Sequence, residues 1–222
     1  MTQIDNGTIN YRDELVRKLI HLCSLSIPII YYFIPRNNAI IILSAFTLFA
    51  VILDLGRYFF PGLGKIFYKA FGFLLRKHEV DNKKKNLNGA TYVFISALIC
   101  VIIFPKLFFI TAFCILIISD SSAALIGRKF GKHKFLAKSL EGTLAFFVSA
   151  SVVVLFTPKV EYLATEYYIG FIAAAIGAIV ENISFGFADD NLTIPISISL
   201  IMWGLYLILL PNMQLMLPNV PR

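Results

Sequence analysis

Seven runs of about 17 or more mostly apolar residues follow one another along the chain, near 19–35, 39–55, 89–105, 107–127, 142–157, 168–187 and 192–210. An α-helix needs ~20 such residues to cross a hydrocarbon layer of ~30 Å. Only 15% of the residues are charged and 58% are apolar, whereas soluble domains carry roughly 25% charge. So much apolar surface does not fit inside one aqueous core. The reading is an all-α, polytopic membrane helix bundle of about seven transmembrane helices, with residues 1–222 as a single integral domain. The shorter runs reach only ~25 Å, which calls for local thinning or snorkelling by Arg17, Lys18 and Arg36. The first run has no small-residue cleavage site and ends in Ile34-Pro35-Arg36, so it is expected to be a retained helix.

The net charge of +7 does not point to nucleic acid, because the cations fall between the apolar runs. Taking the loops alternately, sixteen Lys and Arg lie on one side and four (Arg36, Lys106, Lys159, Arg222) on the other. The positive-inside rule then places the N-terminus in the cytoplasm and the C-terminus across the membrane. In the 56–88 loop, Leu63, Ile66, Phe67, Ala70 and Leu74 recur at helical spacing with Lys65, Lys69 and Arg76 on another face. That pattern predicts an interfacial amphipathic helix, with a solvated basic loop as the alternative because Gly62, Gly64 and Gly72 weaken helicity. Lys83-Lys84-Lys85 reads as a headgroup contact or topology signal. Cys23, Cys100 and Cys114 have no metal or disulfide spacing and read as small buried hydrophobes.

Acidic residues are scarce, and their placement is more telling. Asp54, Asp120, Glu141, Glu181, Asp189 and Asp190 all fall at the cytoplasmic ends of the proposed spans. A carboxylate inside a span costs about 2.5–3.5 kcal/mol at the bilayer centre, so Asp120 and Glu181 require a partner, a cation or a wet cavity. Asp120, Glu181, Asp190 and Asn191 together offer the carboxylate and amide oxygens suited to magnesium, which also takes water and phosphate ligands. A helix–helix hydrogen bond or an ion pair with a loop lysine is the alternative for these carboxylates.

After Asp120 comes a basic loop, 128–141, bounded by Gly127 and Gly142. Gly127, Arg128, Lys129, Gly131, Lys132, Lys138, Ser139, Glu141, Gly142 and Thr143 are the candidate nucleotide-binding residues. Glycines let backbone amides approach an anion, cations neutralise phosphate, and a helix starting near Ser139 would aim its N-terminus at the same group. A triphosphate suits this loop. It is not a Walker A loop, since the glycine spacing is wrong and His133 follows Lys132. Near the N-terminus, Arg17, Lys18 and His21 share a helix face, suited to phosphate contact or to interfacial anchoring. His78 and His133 lie in loops with no role assigned.

Together these segments resemble the CTP-dependent lipid kinases, comprising dolichol kinase, phytol kinase and the fungal-type diacylglycerol kinase. The resemblance rests on Arg17-Lys18-x-x-His21, Asp120-x-x-Ala123-x-x-x-Gly127 continuing to Gly131-Lys132, Lys138-Ser139-x-Glu141-Gly142-Thr143, and Glu181 followed by Asp190-Asn191-Leu192-Thr193-x-Pro195. It implies transfer of the γ-phosphoryl group of CTP to a membrane lipid alcohol, either a prenol such as phytol or polyprenol, or diacylglycerol, at the cytoplasmic face. CTP and metal contacts would fall at Asp120, Gly127 and Lys138-Ser139-x-Glu141-Gly142, with Arg17 and Lys18 needed for activity. The catalytic set is then Asp120, Arg17, Lys18, His21 and Asp190, the cofactor is Mg2+, and either Asp190 or Asp120 accepts the proton. The extra N-terminal spans of eukaryotic dolichol kinases are missing. The runner-up is a phosphatidate cytidylyltransferase-like transfer, although the Lys-Asp pair and Pro-Gly-His-Gly-Gly run of those enzymes are absent. A transporter or structural membrane protein ranks below both. The apolar spans report bilayer contact and not the identity of the alcohol, and the oligomeric state is left open.

Overall fold

A computed structural model describes residues 10–75, 86–184 and 189–221. Arg76, Lys77, His78, Lys83, Lys84, Lys85 and Arg222 therefore lie outside the described residues. The helices are α1 (Tyr11–Cys23), α2 (Ser26–Phe33), α3 (Arg36–Phe59), α4 (Pro61–Phe71), α5 (Gly89–Ile103), α6 (Lys106–Phe130), α7 (Leu140–Phe156), α8 (Ala164–Ile183) and α9 (Asp190–Leu209). Five stretches, with α1 and α2 taken together, are long and apolar enough to cross a membrane, and α5 and α7 are shorter apolar helices. These seven coincide with the seven runs. The protein is an integral membrane protein built as a helical bundle.

Punctuation in the sequence sets the boundaries. Pro35 and Pro105 precede α3 and α6, while the side chains of Asn88, Ser139 and Asp189 accept backbone N–H groups at the starts of α5, α7 and α9. The first span begins at Tyr11, eight residues before its apolar run, because hydropathy cannot register the polar first turns of α1. It also breaks between α1 and α2. Pro28 has no N–H to give the Ser24 carbonyl, which accepts from Ile27 at 2.9 Å instead.

Helix α6 is the hub, packing against α1, α2, α5, α7 and α9. Phe108, Phe109, Phe113, Ile115, Leu116 and Ile117 fill the core around it, with Phe109 stacked on Phe113 and edge-on to Tyr31. The α8 sequence places Gly170, Ala173, Ala174, Gly177 and Ala178 on one buried stripe. A Cβ on Gly170 would meet Val154 at 2.5 Å, and one on Gly177 would meet Ile198 at 2.8 Å. Small residues thus let α8 approach α7 and α9 closely, which drives helix association where lipid offers no hydrophobic contrast.

The far end of the bundle explains three of the four cations expected there. Arg36 donates to the carbonyls of Val101 and Ile102 at the end of α5. Lys106 donates to Ile34 O at the end of α2 and to Pro221 O, at 2.8 and 2.5 Å. Lys159 donates to Val154 O and Thr157 O at the end of α7, both at 2.7 Å. Each satisfies helix-end carbonyls and complements the negative end of a helix dipole.

Several sequence expectations are corrected. Where the periodicity predicts a helix, α4 forms, with Gly64, Phe67 and Tyr68 turned toward the protein and Ile66, Ala70 and Phe71 exposed. Gly64 matters by its size, since a Cβ there would meet Arg57 O at 2.7 Å. Cys23 is exposed, Cys114 half-buried and only Cys100 buried. The 128–141 segment is not all loop: Arg128 and Lys129 form the last turn of α6, where cations are favoured, and a small antiparallel hairpin, β1 (Lys134–Phe135) with β2 (Lys138–Ser139), follows.

Where α6 ends and α7 begins, three glycines interlock around Ser139. A Cβ on Gly127 would meet Ser139 Oγ at 3.0 Å, one on Gly142 would meet Ala123 O at 3.1 Å, and one on Gly131 would meet Gly127 O at 2.2 Å. We predict that Gly131→Ala destabilises the protein by about 1–3 kcal/mol, read as a lower melting temperature in detergent. Gly204→Ala, on an α9 surface with nothing within 4 Å, should be neutral or stabilising by up to about 1 kcal/mol. Equal melting temperatures for the two variants would count against the interlock.

Candidate active site

Helix α1 presents Arg17, Lys18 and His21 on the side that packs against α6. Lys18 Nζ donates to Asp120 Oδ2, and both groups are buried. His21 Nε2 lies 3.9 Å from the same oxygen and has no hydrogen-bond partner among the described residues. One turn earlier, Glu14 accepts from Arg17 at 2.6 Å and from Arg128 of α6 at 3.2 Å. Two ionic links therefore join α1 to α6, and both involve buried carboxylates that could not stay charged in an apolar interior without a cation.

From the other side of α6, Lys138 Nζ on β2 donates to Glu181 near the end of α8. Asp190, in the first turn of α9, interacts electrostatically with Asp120, Glu181, His21 and Lys138. Burial pushes the Lys138 ammonium toward its neutral form, but the carboxylates of Glu181, Asp190 and Asp120 outweigh burial and hold its pKa above the ordinary lysine value. Lys138 is a fixed cation. Residues far apart in sequence, on α1, α6, β2, α8 and α9, thus form one charged cluster at one end of the bundle.

The hairpin carrying Lys138 is held by Asn182, which nothing in its sequence pattern singles out. Its Oδ1 accepts from Ala137 N at 2.8 Å and Lys138 N at 3.1 Å, and its Nδ2 donates to Thr143 Oγ1 at 2.6 Å. Asn182 is fully buried beside Glu181. The only sequence signal was an amide next to an intramembrane carboxylate. Glu141 supports the hairpin from below, accepting from His133 Nδ1 at 2.7 Å. His133, assigned no role from sequence, is thus a structural partner.

The candidate residues divide into three groups, with Asn191 apart from all of them. Arg17, Lys18, His21, Asp120, Arg128, Lys138, Glu181 and Asp190 converge in the cluster. Gly127, Gly131, Ser139, Gly142 and Thr143 are packed against one another or against Asn182, and Glu141 is tied to His133. Lys129 and Lys132 are exposed outside the cluster. Asn191 folds onto Asp189, donating Nδ2 to Asp189 Oδ1 at 2.8 Å as α9 starts. Among the described residues, no three His, Cys, Asp or Glu groups converge tightly enough to cage a metal alone. The oxygen chemistry of Asp120, Glu181, Asp190 and Asn191 still suits Mg2+, which uses one or two carboxylates and fills its shell with water and phosphate.

Fold and cluster define a polytopic helical membrane protein with a buried ionic site at one end. The chain is 32% identical over 195 residues to an uncharacterized protein of Rickettsia prowazekii, covering 86% of this chain and 93% of that one. It is 30% identical over 156 residues to CTP-dependent diacylglycerol kinase 1 of Schizosaccharomyces pombe, covering 64% of this chain and 70% of the yeast protein. It is also 26% identical over 221 residues to CTP-dependent diacylglycerol kinase 1 of Saccharomyces cerevisiae, covering 88% and 74% of the two chains. No protein-family model and no solved structure matches it. The chain belongs to the family of the CTP-dependent diacylglycerol kinases.

Asn182→Leu should remove the anchor of the hairpin without changing side-chain volume much. The expected loss is about 1–3 kcal/mol, with amide exchange at Ala137 and Lys138 at least about tenfold faster while α7 and α8 stay protected. Unchanged exchange at those two amides would show that the hairpin is held by other contacts.

Proposed function

We propose that the protein is a CTP-dependent lipid kinase that transfers the γ-phosphoryl group of CTP to the hydroxyl of a membrane lipid alcohol at the cytoplasmic interface. Diacylglycerol is the first acceptor to test, given the named yeast relatives, with prenols such as phytol or polyprenol next. The observation that carries the reading is the cluster itself. It brings Lys18 and Asp120, from two separate motifs, into one buried ion pair, with Lys138 and Glu181 electrostatically coupled to it.

Phosphoryl transfer asks a protein mainly for positioning and charge neutralisation. Arg17, Lys18, Arg128 and Lys138 supply cations at fixed places for a triphosphate, and the packed glycines fix the α6–α7 junction that holds Arg128 and Lys138 in register. Mg2+, held with the nucleotide by Asp120 and Asp190 or Glu181 and Asn191, would neutralise phosphate charge as it builds. The lipid tail stays in the bilayer while its hydroxyl enters between helices. The hydroxyl proton would go to a carboxylate of the cluster, Asp190 or Asp120, or to His21 Nε2, which has no hydrogen-bond partner among the described residues.

Purified protein given CTP labelled at the α or γ position and a panel of lipid alcohols tests this directly. Label from the γ position should enter the lipid. Label from the α position there would instead mean cytidylyl transfer. In the same assay Asp120→Asn should lose at least about 1,000-fold in turnover. It should also lose about 3–5 kcal/mol of stability, because Lys18 is left as an unpaired buried charge. Replacing both partners, Lys18→Met with Asp120→Leu, should recover stability but not turnover, which separates the chemical role from the structural one.

A further inference from the structure

Glu14 lies ahead of the first apolar run, outside the acidic residues at the ends of the spans. It sits in the first turn of α1, buried, and its two oxygens are divided between two arginines. Oε1 accepts from Arg17 at 2.6 Å and Oε2 accepts from Arg128 at 3.2 Å. Arg17 lies one turn further along the same helix, whereas Arg128 comes from the last turn of α6, so the carboxylate is a strut between two helices at the edge of the cluster.

Two guanidinium groups held this close repel each other, and in a poorly solvated setting the repulsion is large. One carboxylate between them, bonded to both, offsets that repulsion. Glu14 engages Arg17 through a terminal nitrogen, while the buried Nε of Arg17 has no hydrogen-bond partner among the described residues. Paired planar forks with an unmet buried donor match the geometry and charge of a phosphate group better than those of a carboxylate or a neutral headgroup.

We infer that Glu14 is a positioning residue that holds Arg17 and Arg128 side by side as a clamp for the phosphates of the donor nucleotide. The inference rests on the phosphoryl-transfer reading above. Glu14 touches neither substrate; it acts through the two arginines. Charge alone makes the opposite prediction. Deleting a negative group beside a phosphate site should tighten nucleotide binding, whereas releasing two mutually repelling arginines should loosen it.

The full chain in detergent or nanodiscs distinguishes these outcomes, using direct binding of CTP with Mg2+ alongside the γ-label transfer assay. Glu14→Gln should raise both Kd and KM for CTP by about tenfold while kcat stays within about threefold. Glu14→Asp, which keeps the charge on a shorter arm, should recover part of that loss. Arg128→Ala should by itself weaken CTP binding, and adding Glu14→Gln to it should have little further effect, because the two changes disable one device. Unchanged or tighter CTP binding by Glu14→Gln overturns the inference, as does full additivity with Arg128→Ala. If Glu14→Gln does not fold, the Kd and KM of Glu14→Asp decide on their own, with wild-type values overturning the proposal. Failure of the wild-type protein to bind CTP or ATP would reject the phosphoryl-transfer reading itself, and the clamp with it.

Discussion

Burying Lys18 against Asp120 strips two ions of water, and in a low-dielectric interior only a close, hydrogen-bonded partner offsets that cost. The pair lies between α1 and α6, so it also decides where α1 docks. Once α1 is fixed there, Arg17 and His21 fall on the same side, and Glu14 reaches across to Arg128. The rest of the cluster builds on that placement. Lys138 arrives from the hairpin to meet Glu181, and the start of α9 sets Asp190 among them.

The two ends of the bundle use their cations differently, which gives physical content to the lopsided charge count. At the far end, Arg36, Lys106 and Lys159 are consumed by carbonyls at the ends of α5, α2 and α7. They finish helices that no water-facing loop would otherwise cap. At the other end the buried cations face carboxylates, which tie α1 to α6 and β2 to α8. Topology and chemistry therefore point to the same end of the molecule.

Much of this was legible in the sequence because membrane spans and intramembrane charges are strong signals. The seven runs coincide with five stretches long enough to span and two shorter apolar helices, and Asp120 and Glu181 each meet a lysine because a charged group in hydrocarbon must find a partner. What sequence could not show was which partner. From sequence, Asp120 reads as a metal ligand, a helix–helix hydrogen-bond partner or the mate of a loop lysine, yet its lysine comes from α1, about a hundred residues earlier. The glycines around residue 127 were read as room for an anion; the space they open is taken by Ser139 and by one another. Glu14 and Asn182 were missed because a glutamate in a polar first turn and an asparagine beside a more conspicuous acid look ordinary until three dimensions show them bridging separate elements. The break at Pro28 and the hairpin are local features too short for hydropathy to resolve.

Charges within the cluster balance as drawn, with Arg17, Lys18, Arg128 and Lys138 facing Glu14, Asp120, Glu181 and Asp190. A site of high net charge held within a bilayer would raise the cost of folding and of every nearby apolar contact. Balance removes that cost, and among the described residues Lys18 and Lys138 are each already paired with a carboxylate. On the lipid-kinase reading, a magnesium–triphosphate resolves this because it brings both signs at once. Phosphate oxygens would pair with Lys18 and Lys138, and a metal ion carried by the nucleotide would supply a cation for Asp120 and Glu181, so that no buried charge would be left bare. The same exchange disfavours a bare anion, which would take the lysines and strand Asp120 and Glu181. On that reading, a preference for a metal-bound nucleotide would arise from the pairing of the buried charges, before any base or lipid contact.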